Sequence, residues 1–437
     1  MRRPLLLSSL LLMLMCCCTA LAQKGSADNA DGKIVEKSAY TFPAYEQIPD
    51  RFKRAFSRAA IERVIKSPDL ELVQIKYMSD GLKIAGFIYQ PRKTEGKKLP
   101  VVVWNHGHVG EESKIGNENF ETLYEMHRLA AEGFVVLASQ YRGIGGSEGK
   151  DEVAGADTDD VMNLILVAKS LDYVDMDRLF MWGLSRGGLM TLQVIKRGAP
   201  VRAAAVVGVP TDYVARMSQP FSVEFFKTVW PDFDKRRDEH ARSRSPILWA
   251  DQINVPLLIF QGGGDRGVTP TETMAFAQKL EQYGSLYELI IYAKDDHEVS
   301  QNTEDRLRRT VDWFKNVRTL SLVQVLGRTL RERGAEAAVK QYYDLKKNQA
   351  DRYDFGEPEL NTLGYLLLRE GRTKDAIEIF KLNVAVFPEG FNTYDSLGEA
   401  YMANGDRELA IKNYQKSLAL NPQNVNAVNM MKRLNAQ

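Results

Sequence analysis

The chain has 437 residues, more than one ordinary domain needs, so two or three domains are expected. Its 58 basic and 57 acidic residues nearly balance, which excludes the strongly basic surface typical of nucleic-acid-binding proteins and offers no acidic tail. We therefore expect no nucleic-acid partner.

The first 22 residues have the pattern of a secretory signal peptide. Two arginines precede an apolar run from Leu5 to Met15, and the small residues Ala20-Leu21-Ala22 favour cleavage before Gln23. The run is short for a transmembrane helix, and the residues before Cys16 are a poor context for a lipid anchor. The sequence thus predicts an exported protein, periplasmic or secreted, without a stable membrane span after cleavage and without a lipoprotein anchor. All three cysteines lie in this segment, so the cleaved chain depends on its core rather than on disulfides.

Residues 23–67 are predicted to form an N-terminal spacer followed by a helix. Residues 23–40 are small and polar, which is typical of a flexible spacer. Residues 44–66 carry apolar positions at helical spacing. Two extended runs then flank Ser79-Asp80-Gly81, a sequence typical of a β-hairpin turn.

Between residues 68 and 320, short β-branched runs alternate with helical segments. Helices are predicted at 117–131, at 157–170 and after residue 185, and strands at 101–106, 134–140, 178–183, 203–209, 256–260 and 287–293. This alternation predicts an α/β domain in which two antiparallel strands begin a mostly parallel sheet that helices cover on both faces. Residues 211–250 interrupt the alternation as a helical insertion beside the candidate site.

The last segment, residues 321–437, carries a repeat. Leu363-Gly364, Leu367, Gly371, Ala376, Phe380 and Pro388 return 34 residues later as Leu397-Gly398, Tyr401, Gly405, Ala410, Tyr414 and Pro422. A weaker copy precedes them with Leu326-Gly327, Leu330, Gly334, Ala338 and Tyr343. The period and the pattern are those of tetratricopeptide repeats. We predict an all-α domain of three helix pairs that either binds a protein partner or packs on the preceding domain.

Gly183-Leu184-Ser185-Arg186-Gly187 lies between a predicted strand and a predicted helix. A G-x-S-x-G sequence in this context is typical of a nucleophile elbow, a tight turn that presents the serine above a sheet. The sequence therefore predicts Ser185 as a nucleophile.

A serine hydroxyl needs a base to take its proton and an acid to orient that base. Asp265 and His297 each follow a predicted strand, so both are expected with Ser185 at the carboxyl edge of the sheet. The three residues also follow the chain order expected of such an elbow. Asp295 and Asp296 are alternative acids, but they lie too close in sequence to His297 to stand opposite its ring.

The other histidines fit the role of base less well. His127 is interpreted as a surface residue of a helix, and His240 lies in the charged insertion. His106 and His108 follow a strand and qualify only if chain order is ignored. They could instead bind a metal, but no HExxH sequence and no cysteine ligand accompanies them, so we expect no metal and no cofactor.

A tetrahedral intermediate needs two N–H groups close to its oxygen. The backbone N–H of Arg186 is predicted to supply one, because it follows the nucleophile at the start of a helix. The backbone N–H of His108, in the loop after the strand at 101–106, is predicted to supply the other.

At these residues the chain resembles the catalytic domain of the prolyl oligopeptidase family of α/β-hydrolases, over about residues 68–318. The resemblance rests on NHG at 105–107, YRG at 141–143, Gly188 after the elbow, RSPI at 244–247 and the G-x-x-D-x-x-V run that ends at Val268. It implies an α/β-hydrolase fold with Ser185 as nucleophile, Asp265 as acid and His297 as base. Two features depart from the family: His108 stands where a second glycine is usual, and residues 23–67 are too few for the β-propeller that many members carry.

The sequence thus predicts a serine hydrolase that cleaves a peptide, amide or ester bond through an acyl-enzyme, with a peptide or small molecule as substrate. A carboxylesterase is the alternative chemistry, and a repeat-containing scaffold with a vestigial hydrolase domain is the alternative class. The Arg186 side chain is interpreted either as a ligand for a substrate carboxylate or as a partner of surface acids. The aromatic residues of the insertion are interpreted either as an apolar pocket wall or as packing for its own helices; they are Phe221, Phe225, Phe226 and Trp230.

Overall fold

The computed structural model describes residues 30–107, 110, 114–116, 119–317, 321–348, 350 and 353–435. The predicted signal peptide and its cleavage site before Gln23 lie outside the described residues, and so does His108. Within the described ranges, no helix combines the length and the apolar character needed to cross a bilayer.

Among the described residues, nine strands form one sheet in the order β1-β2-β3-β5-β4-β6-β7-β8-β9. Their bounds are Ile34–Ala39 (β1), Leu70–Ser79 (β2), Leu82–Pro91 (β3), Leu99–Asn105 (β4), Val135–Ser139 (β5), Val174–Leu184 (β6), Ala203–Val207 (β7), Leu257–Gly262 (β8) and Tyr287–Tyr292 (β9). The pairs from β1 to β3, and β3 with β5, are antiparallel, and every pair from β5 to β9 is parallel. The predicted mostly parallel α/β sheet is confirmed.

The helices follow the predicted alternation and then the predicted repeats. Their bounds are Asp50–Ala55 (α1), Arg58–Ile65 (α2), Phe120–Ala131 (α3), Asp157–Ser170 (α4), Arg186–Lys196 (α5), Tyr213–Arg216 (α6), Pro220–Val229 (α7), Phe233–Ser243 (α8), Pro270–Gln282 (α9), Thr303–Asn316 (α10), Leu322–Asn348 (α11), Glu357–Arg369 (α12), Thr373–Val386 (α13), Phe391–Asn404 (α14), Arg407–Leu420 (α15) and Val425–Asn435 (α16). Helices α6 to α8 form the predicted insertion between β7 and β8.

The central strands are buried on both faces because their sequences are continuously apolar. In β4, Val101 and Val103 pack in the core that α4, α5 and α9 cover. Val102 and Trp104 point the other way and pack in the core that α3 and α10 cover. This two-sided burial fixes the register of each strand and therefore the position of the residue that follows its carboxyl end.

The N-terminal region differs from the prediction. Residues 34–39, predicted as flexible spacer, form the edge strand β1 and pair with β2. Their side chains are almost all exposed, so backbone hydrogen bonds to β2 hold the strand and its polar sequence carries no strand signal. The single helix predicted at 44–66 is two helices, since Phe56 is extended and the Ser57 hydroxyl caps α2 by accepting from the Ala60 N–H at 3.2 Å.

The repeats form stacked helix pairs with a continuous apolar core. Helix α11 contains two helical segments, because Gly334 at φ 83° and ψ 175° breaks the helix. Phe380 and Tyr414 each lie four residues after a buried alanine and are fully buried, as predicted. In the first copy the buried aromatic residue is Tyr342, whereas Tyr343, predicted for that position, is 50% exposed. The predicted register of the weaker copy is therefore wrong by one residue.

The repeats pack on the α/β domain away from the carboxyl edge of its sheet. Gln324 Nε2 on α11 donates to the Tyr283 carbonyl and to Ser285 Oγ, each at 2.8 Å. Both acceptors lie in the turn that leads into the amino end of β9. The candidate catalytic residues lie at the opposite ends of the strands. The repeats therefore pack on the α/β domain without lining the cavity at these residues.

The buried tyrosine of the first repeat gives a matched test of this register. We expect Tyr342→Ala to destabilise the repeats by about 3–5 kcal/mol, because it removes a fully buried aromatic ring. Tyr343→Ala should change their stability by only about 0.5 kcal/mol. Calorimetry of the unfolding transitions checks both variants, and equal effects would contradict the observed register.

His127 is buried, so the predicted surface position is wrong. It is 3% exposed and packs edge-on against the Tyr89 ring, with 5.7 Å between the ring centroids. Neither ring nitrogen has a hydrogen-bond partner among the described residues. Burial, with smaller contributions from the charges of Arg128 and Arg63, lowers the pKa of His127 to about 4.

We expect His127→Leu to reduce the loss of stability in acid. The folded-state pKa of about 4 lies below the ordinary value of 6.5, so the unfolded chain binds the proton first as the pH falls. His127 therefore lowers the free energy of unfolding as the pH falls from 6.5 to about 4, by roughly 3 kcal/mol once the pH is below both pKa values. Urea-unfolding midpoints at about pH 7 and about pH 4 should differ more for the wild type than for the variant. Identical differences would contradict the prediction.

Candidate active site

Ser185 occupies a strained turn between β6 and α5. Its backbone has φ 52° and ψ −119°, a conformation that residues other than glycine rarely adopt. The Ser185 N–H donates to the Val207 carbonyl at 2.7 Å, which ties the turn to the end of the neighbouring strand β7. The structure thus places Ser185 at the carboxyl edge of the sheet in the geometry of a nucleophile elbow.

The glycines beside Ser185 are required by close backbone approaches. A Cβ atom on Gly187 would lie 1.9 Å from the Asn105 carbonyl oxygen, and one on Gly183 would lie 2.3 Å from the Gly187 carbonyl oxygen. Neither neighbour is a flexible side chain that can move aside. The spacing of the G-x-S-x-G sequence is therefore a consequence of how tightly β6, α5 and the loop after β4 meet.

Asp265 and His297 are in direct contact. Asp265 follows β8 and His297 follows β9, and 2.6 Å separates Asp265 Oδ2 from His297 Nδ1. The other carboxylate oxygen accepts the N–H groups of Gly267 and Val268, at 2.8 and 3.0 Å. Burial raises the pKa of the Asp265 carboxyl, but the bonds from His297, Val268 and Gly267 outweigh burial and hold that pKa below its ordinary value. Asp265 is thus an ionised acceptor that fixes the imidazole through Nδ1.

The alternative acids are engaged elsewhere. Asp295 is buried, and its carboxylate accepts from the N–H groups of Asp296 and Gln301 and from the Asn302 amide. Asp296 accepts from the Ser300 N–H at 2.9 Å. Both carboxylates therefore stabilise the turn that leads into α10, and Asp265 is the acid that meets His297.

One cavity of about 610 Å³ is lined by Ser185, Asp265 and His297 together. No hydrogen bond joins the Ser185 hydroxyl to His297 within the part of the chain that the structure describes. Such catalytic hydrogen bonds often tighten only when substrate binds. The other side of the cavity comes from the insertion and from the loop after Asp265; its lining includes Pro210, Tyr213, Arg216, Phe221, Ser222, Phe225, Phe226, Arg266 and Val268.

The aromatic residues of the insertion divide between the two predicted roles. Phe221 is 84% exposed at the cavity, and Phe225 lines it while half-buried. Trp230 is buried in the core and stacks on Phe226, with 4.3 Å between ring centroids. Phe221 and Phe225 are therefore pocket wall, Trp230 is core, and Phe226 serves both.

The Arg186 side chain does not face the cavity. It is 3% exposed, and its guanidinium forms a two-pronged pair with Asp151 at 2.5 and 2.8 Å and contacts Asp157 at 2.7 Å. The interpretation as a ligand for a substrate carboxylate is wrong because the side chain is buried. The predicted pairing with acids is correct, but Asp157 is fully buried and the Asp151 side chain is only 12% exposed. As the first residue of α5, Arg186 has its backbone N–H next to the nucleophile.

Sequence reasoning overlooked several residues of the site. Pro210 and Tyr213 line the cavity because they follow the carboxyl end of β7, the same kind of position that identified Asp265 and His297. Tyr141 is fully buried between His106 and Arg186, and its place in the YRG sequence was the available signal. The described residues contain no group of three or more histidine, cysteine, aspartate or glutamate side chains arranged to hold a metal ion.

Comparison with known proteins assigns the two parts of the chain. Residues 119–320 match the model of the prolyl oligopeptidase family, and residues 391–424 match that of the tetratricopeptide repeat. Residues 119–320 form a prolyl oligopeptidase family domain. Ser185, Asp265 and His297 all lie within this domain, and the repeat match covers α14 and α15. The family resemblance predicted from the sequence is confirmed.

The relatives of the prolyl oligopeptidase family domain are peptidases. The uncharacterized peptidase YtmA of Bacillus subtilis is 26% identical over 253 residues, which cover 57% of this chain and 95% of the Bacillus protein. The acylamino-acid-releasing enzyme of Sus scrofa is 26% identical over 239 residues, which cover 51% of this chain and 32% of that enzyme. The chain thus spans nearly all of the first relative and about a third of the second. The family match and these relatives support an enzyme of the serine hydrolase class.

Among solved structures, the acylaminoacyl peptidase of Pyrococcus horikoshii is similar, with a TM-score of 0.49 and 22% sequence identity. The similarity covers 57% of this chain and 42% of the Pyrococcus chain.

Proposed function

We propose that this protein is an exported serine hydrolase that cleaves peptide, amide or ester bonds through an acyl-enzyme. The observation that carries the proposal is the 2.6 Å contact between Asp265 Oδ2 and His297 Nδ1 beside the same cavity as Ser185. Export rests on the sequence of residues 1–22 alone.

In the proposed first step, Ser185 Oγ attacks the substrate carbonyl carbon while His297 Nε2 takes the hydroxyl proton. Asp265 keeps Nδ1 protonated and stabilises the imidazolium. The tetrahedral intermediate then collapses, the bond to the leaving amine or alcohol breaks, and His297 returns the proton to that group. Water repeats the sequence with the acyl-enzyme, which releases the acid and regenerates Ser185 Oγ–H.

The oxyanion of that intermediate needs two donors. The Arg186 N–H at the start of α5 is proposed as one, supported by its position directly after Ser185. The His108 N–H remains the proposal from sequence for the second donor, because His108 lies outside the described residues.

The cavity supports a substrate with an apolar group beside the scissile carbonyl. Phe221 and Phe225 offer exposed aromatic surface next to Ser185, and apolar burial against such surface favours binding of an apolar side chain. The names of the relatives, an acylamino-acid-releasing enzyme among them, support a peptide or an acylated amino acid. The tetratricopeptide match supports a protein partner for the repeats. The repeats do not line the cavity, so we propose that this partner binds away from the substrate.

Ser185→Ala tests the proposed function directly. We expect kcat/KM on p-nitrophenyl acetate and aminoacyl anilides to fall by at least about 1000-fold, because the nucleophile is lost. Labelling by a fluorophosphonate probe should disappear, whereas Ser218→Ala, which changes an exposed serine of the insertion, should keep it. Full activity of purified Ser185→Ala would refute the mechanism. A wild type that is folded but inert to the probe would favour the scaffold alternative.

The aromatic wall predicts the acyl preference. The double variant Phe221→Ala/Phe225→Ala should lose about 10- to 100-fold in kcat/KM on substrates with a phenylalanyl or leucyl acyl group, because roughly 1.5–3 kcal/mol of apolar contact is removed. Hydrolysis of an acetyl ester should change little, since an acetyl group has little apolar surface to bury against the wall. Phe391→Ala in the repeats is the matched control. Equal losses on all acyl groups would exclude these rings as the acyl pocket.

A further inference from the structure

Tyr141 adopts a strained backbone conformation at the end of β5. Its φ is 62°, in the left-handed region that an aromatic residue rarely occupies. The strain is held locally, because the Tyr141 N–H donates to Ser139 Oγ at 3.0 Å and the side chain is completely buried. Strained residues of this kind persist where surrounding contacts over-determine them, often near active sites.

The Tyr141 side chain holds the loop after β4 in two ways. Its ring stacks on the His106 imidazole, with 4.3 Å between centroids and 20° between planes. Its hydroxyl donates to the His106 carbonyl oxygen at 3.3 Å. The same carbonyl faces Gly187 of the nucleophile elbow, where a Cβ atom would lie 2.7 Å from it. Tyr141 therefore bonds the peptide group that directly contacts the elbow.

The opposite face of the Tyr141 ring contacts Arg186, which directly follows the nucleophile. The Arg186 guanidinium carbon lies 4.8 Å from the centre of the Tyr141 ring. Arg186 is fixed in turn by Asp151 and Asp157, and Asp157 is anchored by the N–H groups of Ala154 and Gly155 at 2.8 and 2.7 Å. One buried ring is thus clamped between His106 of the loop and Arg186, the residue that follows the nucleophile.

We propose that Tyr141 is a positioning residue: through its hydroxyl it holds the His106–Gly107 peptide against the nucleophile elbow and so sets the geometry in which the tetrahedral intermediate forms. This inference rests on the proposed function. Gly107 borders Ser185, since a Cβ atom on Gly107 would lie 3.4 Å from Ser185 Cβ. A small displacement of this peptide therefore changes the wall directly beside the nucleophile, and misplacement by about 1 Å can reduce a rate about 100-fold.

Tyr141→Phe isolates the role of the hydroxyl, because it keeps the ring between His106 and Arg186. We expect kcat per active site, titrated with a fluorophosphonate, to fall about 10-fold while KM stays within about twofold. The inhibition constant of a peptidyl trifluoromethyl ketone, which forms a tetrahedral adduct with the nucleophile, should rise in the same proportion as kcat/KM falls.

Tyr173→Phe is the matched control. The Tyr173 hydroxyl also donates a hydrogen bond, to Gln90 Oε1 at 2.6 Å, but its backbone carbonyl accepts from Leu99 at the amino end of β4, far from the carboxyl edge. We expect this variant to have a lower melting temperature than the wild type, because it loses one hydrogen bond. Its kcat and its affinity for the inhibitor should be unchanged.

The outcomes separate the two proposals. If the wild type turns over substrate and Tyr141→Phe keeps its kcat and inhibition constant, the positioning role is wrong and the proposed function stands. If Tyr141→Phe loses activity only in proportion to unfolded protein, with normal kcat per titrated site, the hydroxyl is merely structural and the inference is again wrong. If the wild type neither hydrolyses substrate nor reacts with the probe, both proposals fail.

Discussion

The approach of the nucleophile elbow to the loop after β4 is the constraint on which the candidate site depends. Gly187 lies so close to the carbonyl oxygens of Asn105 and His106 that no side chain fits between them. This contact forces the tight turn in which Ser185 takes a positive φ. The strain at Ser185 is maintained because β4, β6 and β7 are paired with one another and buried on both faces. The turn therefore cannot relax without disturbing the centre of the sheet.

The charges around the elbow follow from the same constraint. Arg186 begins a buried helix and cannot reach water, so its guanidinium is neutralised by Asp151 and Asp157. Removing one partner of such a buried pair leaves a charge without compensation, which costs more than the pair contributes. The network beneath Ser185 is therefore structural, whereas Asp265 and His297 meet at the cavity.

The two parts of the chain divide the surface between them. The α/β domain builds its cavity at the carboxyl edge of the sheet from the insertion and the loops after β6, β8 and β9. The repeats dock through Gln324 on the turn before β9, at the other end of the strands. The repeats therefore leave access to the cavity unobstructed, because no described residue of the repeats lines the cavity.

The sequence by itself determined the α/β class, the order of the strands along the chain, the insertion, the repeats and the family. It could do so because apolar runs of period two and period 3.6 are local properties, and because the elbow glycines are demanded by local geometry. It also singled out Ser185, Asp265 and His297, since residues that follow parallel strands converge at one edge. The sequence did not predict strand β1 or the break between helices α1 and α2. Backbone pairing holds β1 and a single serine cap begins α2, and neither feature produces a pattern of apolar residues.

Only the tertiary structure decided which helical residues face the core. Tyr342 rather than Tyr343 fills the first repeat, and His127 is buried rather than exposed. In each case the choice depends on which side of a turn or helix faces a partner that is distant in sequence. That partner is fixed by packing across the whole domain, and the local pattern of residues does not contain it.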